Sequence, residues 1–225
     1  VKQGKRQVGS TIKPFVYSAG MRFGVVTSCE TTPNIEYCVD VQNGSTSSDM
    51  KSWCPQNAGV KMNGEPISFR KGLAQSMNNI TVAVMARMGG TAGPSAVAKL
   101  MRDLNIEIRD EDVVPAMCLG VMDLSLWEIV GAQCAFVNKG IYNKPTALLR
   151  IEDRNGNLIY EAIPQSKEVM SEDLAYATVD IMKDVINGGT GGSLRAAWRP
   201  WGGLLNQWLV KQGRLKTTLM DGLWH

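Results

Sequence analysis

Histidine is all but missing from this 225-residue chain, and the single one, His225, is the last residue. No internal imidazole is available as general base or metal ligand, which removes Ser-His-Asp, Cys-His and His-based zinc sites. A catalytic base has to be Lys, Asp, Glu, Tyr or Cys. The five cysteines, Cys29, Cys38, Cys54, Cys118 and Cys134, never form C-x-x-C, so neither a metal knuckle nor a thioredoxin-type redox pair is expected, and no metal or cofactor is called for. No apolar run reaches the roughly 18 residues of a membrane span, and Val1–Lys13 is charged where a signal peptide is apolar. The chain thus shows no address or anchor, and a start at Val1 rather than Met leads us to expect that it begins inside a longer protein. A strong charge of one sign is lacking too. The balance of 24 Lys+Arg against 21 Asp+Glu leaves +3, with no basic run interleaved with aromatics, so nucleic acid is a poor candidate partner.

What is present is an ordinary globular composition, 44% hydrophobic and 20% charged, long enough for one domain or two. From Ser10 to Met21 the apolar spacing of Ile12, Phe15, Val16 and Ala19 predicts a helix entered at a serine, with Pro14 tolerated in the first turn. Residues 28–66 are rich in Ser, Thr, Asn, Gly and Pro and read as loop, with a short strand at Ile35–Val41 and room for one disulfide among the first three cysteines. Cys118 and Cys134 lie in apolar segments and are expected to be buried thiols. Helical spacing covers Ile67–Gln75, Asn78–Met88 and Pro94–Leu104, so Ser76-Met77-Asn78 falls at a junction of two helices.

Further on, Leu124–Asn138 predicts a buried helix with Ser125 and Glu128 as a capping box. Ala147–Glu152 and Asn157–Ala162 predict a hairpin turning through Asn155-Gly156. Ser171–Val185 predicts a helix that stops at the glycines of 188–192. Those glycines are not a phosphate loop, because Ser193-Leu194-Arg195 follows where Gly-Lys-Ser/Thr would be needed.

The residues best suited to chemistry are Ser10-Thr11-Ile12-Lys13, an S-x-x-K tetrad. A serine hydroxyl is a weak nucleophile unless a neighbour takes its proton, and without histidine the lysine three residues on is the candidate. Burial near the positive end of a helix favours the neutral amine and makes such a lysine a usable base. Taken alone, the tetrad is a weak signal, and a helix-capping serine with a solvated lysine is the commoner reading of it.

Arg6–Phe15 (RQVGSTIKPF), Ser76-Met77-Asn78 and Gly188–Gly192, in that order, closely resemble the transpeptidase domain of class A penicillin-binding proteins, whose first boxes have the forms P-G-S-[TS]-[FIM]-K-P and S-x-N. Leu73–Asn79, Cys118-Leu119-Gly120, Leu124–Glu128 and Ala135–Tyr142 agree with that family as well, while Val8 replaces its usual proline. The resemblance implies an α/β fold, the penicillin-binding/serine β-lactamase-like arrangement of a helical core against an antiparallel sheet, here incomplete and helix-rich. It implies a peptidoglycan D,D-transpeptidase in which Ser10 attacks the D-Ala-D-Ala carbonyl and Lys13 takes its proton. Ser76 would pass a proton to the departing D-alanine, and Asn78 would hold the substrate amide or steady Lys13. Ser10, Asn78 and Thr190 would be the substrate contacts, and the Ser10 backbone N–H half of the oxyanion hole. The implied partners are peptidoglycan stem peptides and, as inhibitors, β-lactams. The parent protein would sit on the periplasmic side of the inner membrane, anchored and carrying a glycosyltransferase domain.

One box is absent. K-[ST]-G has no counterpart, since Lys216-Thr217-Thr218 lacks the glycine and Lys211-Gln212-Gly213 the hydroxyl. Reading the codons one nucleotide earlier permits Val-Ala-Gly-Lys-Thr-Gly-Thr-Thr over 208–215. We therefore expect residues 1–205 to be a partial transpeptidase domain with an irregular insert at 28–66, and 206–225 to be a non-family tail produced by a frameshift between about Leu194 and Trp208; a divergent native tail is the alternative. The chain itself is expected to be crippled and, without the sheet, to leave helix faces exposed. Two other readings stay open, a non-catalytic fragment or pseudo-enzyme of the same family, and a helical interaction module with a chance S-x-x-K.

Overall fold

The computed structural model describes residues 2–41 and 51–197. The tail, with both incomplete K-[ST]-G candidates and the tryptophans from Trp198 onward, lies outside them. In chain order the elements are β1 (Lys5–Gln7), a 3-10 turn (Gly9–Ile12), α1 (Lys13–Arg22), β2 (Thr31–Pro33), β3 (Val39–Val41), β4 (Lys51–Trp53), β5 (Pro66–Ser68), α2 (Phe69–Ala74), α3 (Asn78–Met88) and α4 (Ala92–Asp103). They continue through 3-10 turns at Asp110–Asp112 and Pro115–Leu119, β6 (Asp123–Ser125), α5 (Leu126–Val137), β7 (Ile141–Asn143), β8 (Arg150–Glu152), β9 (Leu158–Glu161), β10 (Ser166–Glu168), α6 (Glu172–Asn187) and α7 (Gly192–Ala197). The described strands form only antiparallel pairs: β1 with β6, β2 with β5, β3 with β4, β7 with β10, and β8 with β9.

The α1 helix is the axis of the fold. It packs on α3, α4 and α6, and every residue from Lys13 to Gly20 is buried. Phe15 meets Phe136 of α5 with ring centroids 5.1 Å apart, which ties the outer helix to the central one. The β1–β6 pair runs antiparallel, Lys5 opposite Ser125 and Gln7 opposite Asp123, so the chain leaves toward α1 and toward α5 at its opposite ends. Behind that pair Gly9 N–H donates to the Gly120 carbonyl at 3.0 Å. Gly120 has φ +75°, and a Cβ there would lie 2.2 Å from the Gly9 oxygen, so only glycine lets the two backbones approach just before Ser10.

Several expectations need correction. Ser10 is not the cap of a long helix: it lies in the 3-10 turn, and the α-helix proper begins at Lys13, where Pro14 fits the first turn. The predicted helix at Ile67–Gln75 starts only at Phe69, because Pro66–Ser68 pair with Thr31–Pro33 and Ser68 then caps, accepting from Lys71 N–H. The stretch 28–66 is not simply loop. It holds β2 and the β3–β4 hairpin, closed by a Cys38–Cys54 disulfide, and buries Thr32, Asn34 and Val39.

The hairpin at β8–β9 forms with Asn155-Gly156 in its connection; Glu152 stands opposite Leu158, and the five-residue loop between them is organised by the Asp153 carboxylate. Cys118 is buried as expected, whereas Cys134 is exposed. The α5 helix has its capping box, Ser125 N–H donating to Glu128 at 2.8 Å and Glu128 N–H to the Ser125 hydroxyl at 3.2 Å, yet Leu126, Val130 and Val137 face solvent. It is buried on one side only.

Candidate active site

Three segments distant in sequence meet around Lys13. The 3-10 turn and first turn of α1 supply Ser10 and Lys13, the α2–α3 junction supplies Ser76 and Asn78, and the turn Pro115–Leu119 supplies Cys118 beneath them. Lys13 is 1% exposed. Its ammonium donates to the Ser76 carbonyl at 2.6 Å, the Ser76 hydroxyl at 3.1 Å and the Asn78 Oδ1 at 2.8 Å. A lysine carries three protons, and each has an acceptor here.

Burial dominates the titration of that amine. Removal from water disfavours the cation and brings the Lys13 pKa from 10.5 down to about 8, with the neighbouring Cys118 acting weakly the other way. The Cys118 thiol is itself pushed up to about 12 by burial, so it stays protonated and is no nucleophile. At neutral pH about one Lys13 in ten is then the free amine, against fewer than about one in a thousand for a solvated lysine.

Local backbone geometry explains how the second segment reaches the lysine. Ser76 sits at φ +51°, a left-handed conformation uncommon for a residue with a side chain. Its N–H still closes on the Leu73 carbonyl at 2.9 Å, and the turn directs both Ser76 oxygens to Lys13. Arg70 on α2 holds the junction from behind through ion pairs to Asp180 and, at 3.2 Å, Asp184 of α6. The glycine loop after α6 closes the same side: Thr190 N–H donates to the Ala74 carbonyl at 3.0 Å, and a Cβ on Gly189 would lie 2.1 Å from that oxygen.

Lys13, Ser76 and Asn78 are brought into direct contact, Ser10 stands three residues before Lys13, and Thr190 lies at the edge of this cluster with an exposed side chain. Ser10 is exposed, one 3-10 turn before Lys13, and among the described residues no hydrogen bond joins its hydroxyl to the lysine. Catalytic hydrogen bonds commonly tighten only when substrate is present. The sequence reading missed Asn57 and Asn79. Asn57 Oδ1 accepts from the backbone N–H of Asn78 at 2.7 Å and of Asn79 at 3.1 Å. Nothing local to residues 55–60 marks it, because its partners lie more than twenty residues away.

A family model described as the penicillin binding protein transpeptidase domain matches residues 2–202. The chain belongs to that family. It is 30% identical to penicillin-binding protein 1B of Vibrio cholerae over 200 residues, 87% of this chain and 24% of that protein. Against penicillin-binding protein 1A of Rickettsia bellii it is 34% identical over 160 residues, 71% of this chain and 19% of the relative. The chain therefore spans about a quarter or less of the length of these relatives.

Among solved structures, penicillin-binding protein 1A of Haemophilus influenzae superposes with a TM-score of 0.70 at 22% identity, covering 84% of this chain and 31% of that one. Penicillin-binding protein A of M. tuberculosis, solved as an imipenem acyl-enzyme complex, gives 0.65 at 17% identity, covering 81% and 44%. These likenesses establish the fold expected from sequence, a penicillin-binding transpeptidase fold rich in helix with small antiparallel sheets. Among the described residues no helix is long and apolar enough to cross a membrane.

Proposed function

We propose that this penicillin-binding transpeptidase domain is the acylating part of a serine D,D-transpeptidase that cross-links peptidoglycan stem peptides. The observation that carries the reading is a lysine buried to 1%, its pKa lowered to about 8, on the turn after an exposed serine and bonded to both Ser76 and Asn78. In this reading the neutral Lys13 amine takes the Ser10 proton as Oγ attacks the carbonyl between the two D-alanines. The C–N bond then breaks, and the proton reaches the departing amine through Ser76 Oγ, which is already within 3.1 Å of Lys13. Asn78 keeps Oδ1 on Lys13 and offers its edge to the donor peptide. The amine of a second stem peptide attacks the acyl-enzyme and restores Ser10. A β-lactam takes the same path, except that its leaving nitrogen stays tethered after ring opening.

Ser10 and Asn78, with Thr190 at the loop edge, are the proposed substrate contacts. The Ser10 N–H supplies one oxyanion donor. No cofactor or metal takes part in this scheme. The parent protein would act on the periplasmic side of the inner membrane, with an anchor and a glycosyltransferase domain beyond this chain. Residues 1–205 would be its partial transpeptidase domain and 206–225 a tail foreign to it.

The missing K-[ST]-G box favours a second reading, a pseudo-enzyme that keeps the lysine centre and lacks the donor strand. Loss of one oxyanion donor lowers turnover by about 10²–10³-fold. Incubation with a labelled penicillin followed by peptide mapping separates the two: an adduct on Ser10 supports the acylating domain, and a folded sample without adduct supports the pseudo-enzyme.

A further inference from the structure

The start of α3 has a structural gap that a distant residue fills. Met77 occupies the N-cap position, with extended φ/ψ of −71° and 128°, and has no oxygen to offer the free N–H groups of the first turn. Asn57 supplies that oxygen from another segment, accepting from Asn78 N–H at 2.7 Å and Asn79 N–H at 3.1 Å. Its neighbour Gln56 accepts from Asn78 Nδ2 at 2.9 Å through its backbone carbonyl, which leaves Asn78 Oδ1 directed at Lys13, 2.8 Å away.

The clamp is itself held. Asn57 Nδ2 donates to Asn79 Oδ1 at 2.8 Å, and the fully buried Asn79 donates to Asn34 Oδ1 at 2.9 Å and the Ile35 carbonyl at 2.8 Å. Asn34 in turn donates to the Lys61 carbonyl and Asn63. The Cys38–Cys54 bridge joins the two arms of this segment, close in sequence to Asn34 on one arm and to Asn57 on the other. Buried polar chains of this kind fix a single geometry when every member is satisfied.

We propose that Asn57 is a positioning residue for acylation: with Gln56 it clamps the α3 N-terminus and the Asn78 amide against Lys13, and the Cys38–Cys54 bridge keeps the clamp in register. The disulfide segment is therefore part of the machinery rather than an appended loop. The inference rests on the transpeptidase reading for its effect on acylation, but its geometry can be read out without turnover.

The test uses the full chain with 13Cε-lysine labelling, following the Lys13 resonance against pH, alongside the rate of Ser10 acylation by fluorescent penicillin and a thermal melt. Of the described titratable groups beside Lys13, Cys118 on the turn below and Tyr17 one turn along α1 are both held protonated by burial, so the titration reports the lysine. Asn57→Ala frees the backbone N–H groups of Asn78 and Asn79, the start of α3 that carries the Asn78 side chain loosens, its Oδ1 draws away from the cation, and the Lys13 midpoint should fall below the wild-type value. Acylation should drop roughly tenfold or more, as expected when a reacting group is misplaced by about an ångström. Asn57→Gln keeps both the acceptor for the α3 N–H groups and the donor to Asn79, and should restore the midpoint toward wild type and the rate to within about threefold. Cys38→Ser with Cys54→Ser should give a milder form of the alanine phenotype, about threefold in rate.

An unchanged or raised midpoint in a folded Asn57→Ala chain overturns the proposal, as does failure of a folded Asn57→Gln to restore it. A wild type that titrates near pH 8 but is never acylated overturns the transpeptidase reading instead, and the clamp is then judged on the midpoints alone.

Discussion

The helices α1 and α5 are each fed by one strand of the antiparallel β1–β6 pair, and their fates are opposite. All residues of α5 except Glu128, Gly131 and Gln133 are apolar, yet Leu126 is 60% exposed and Val130 and Val137 nearly half. The less apolar α1 carries a lysine, a tyrosine and a serine into the interior and is buried on every side by α3, α4 and α6. Position in the topology, and not hydropathy, decides which is enclosed. The difference separates two tasks. The α1 helix spends stability on desolvating an amine, and α5 covers α1 with one face through Phe136 while presenting an apolar outer face of its own.

The contrast can be broken first at the chemistry. Replacing Lys13 by Ala should lower acylation of Ser10 by about 10³-fold or more, since the proposed proton acceptor and the group organising Ser76 and Asn78 are lost together; a stopped-flow penicillin assay checks it, and Leu126→Ala on α5 should leave that rate unchanged.

Next comes packing. Phe15→Ala at the fully buried α1 position should destabilise by about 3–5 kcal/mol in denaturant titrations, against about 0.5 kcal/mol or less for Leu126→Ala.

The third prediction concerns pH. Lys13 titrates at about 8 when folded and 10.5 when unfolded, so between those values the unfolded chain binds the extra proton and stability rises with pH. The desolvated cation opposes folding by roughly 3 kcal/mol below pH 8, and this is relieved as pH climbs to 10.5. Wild type should therefore gain on Lys13→Met across that window, and parallel Tm curves for the two would contradict the burial argument. The smallest effect lies on the outer face: Leu126→Ser with Val130→Ser should change folding stability by less than about 1 kcal/mol in denaturant titrations.

Much of this was legible where the signal is local. The Ser125/Glu128 box and the Ser171 cap that accepts from Leu174 N–H lie within one turn of chain and form as expected, and the lysine of S-x-x-K bonds the serine and asparagine of S-x-N. Signals that depend on partners far away were not. Composition made 28–66 look like loop because its asparagines satisfy one another and α3 across more than twenty residues, as in Asn57 with Asn79 and Asn79 with Asn34. Cys134 sits in an apolar run but on the α5 side that nothing described covers, so its exposure follows from topology. The left-handed turn at Ser76, which no sequence rule requires, is set by the Leu73 carbonyl and the lysine it must reach.

The most direct test of the account is the rate of Ser10 acylation by labelled benzylpenicillin as a function of pH. If the buried Lys13 amine is the proton acceptor, the rate climbs with an apparent pKa of about 8 and the climb disappears in Lys13→Ala. A rate that is flat across that range, or the absence of any Ser10 adduct in a demonstrably folded chain, would contradict it.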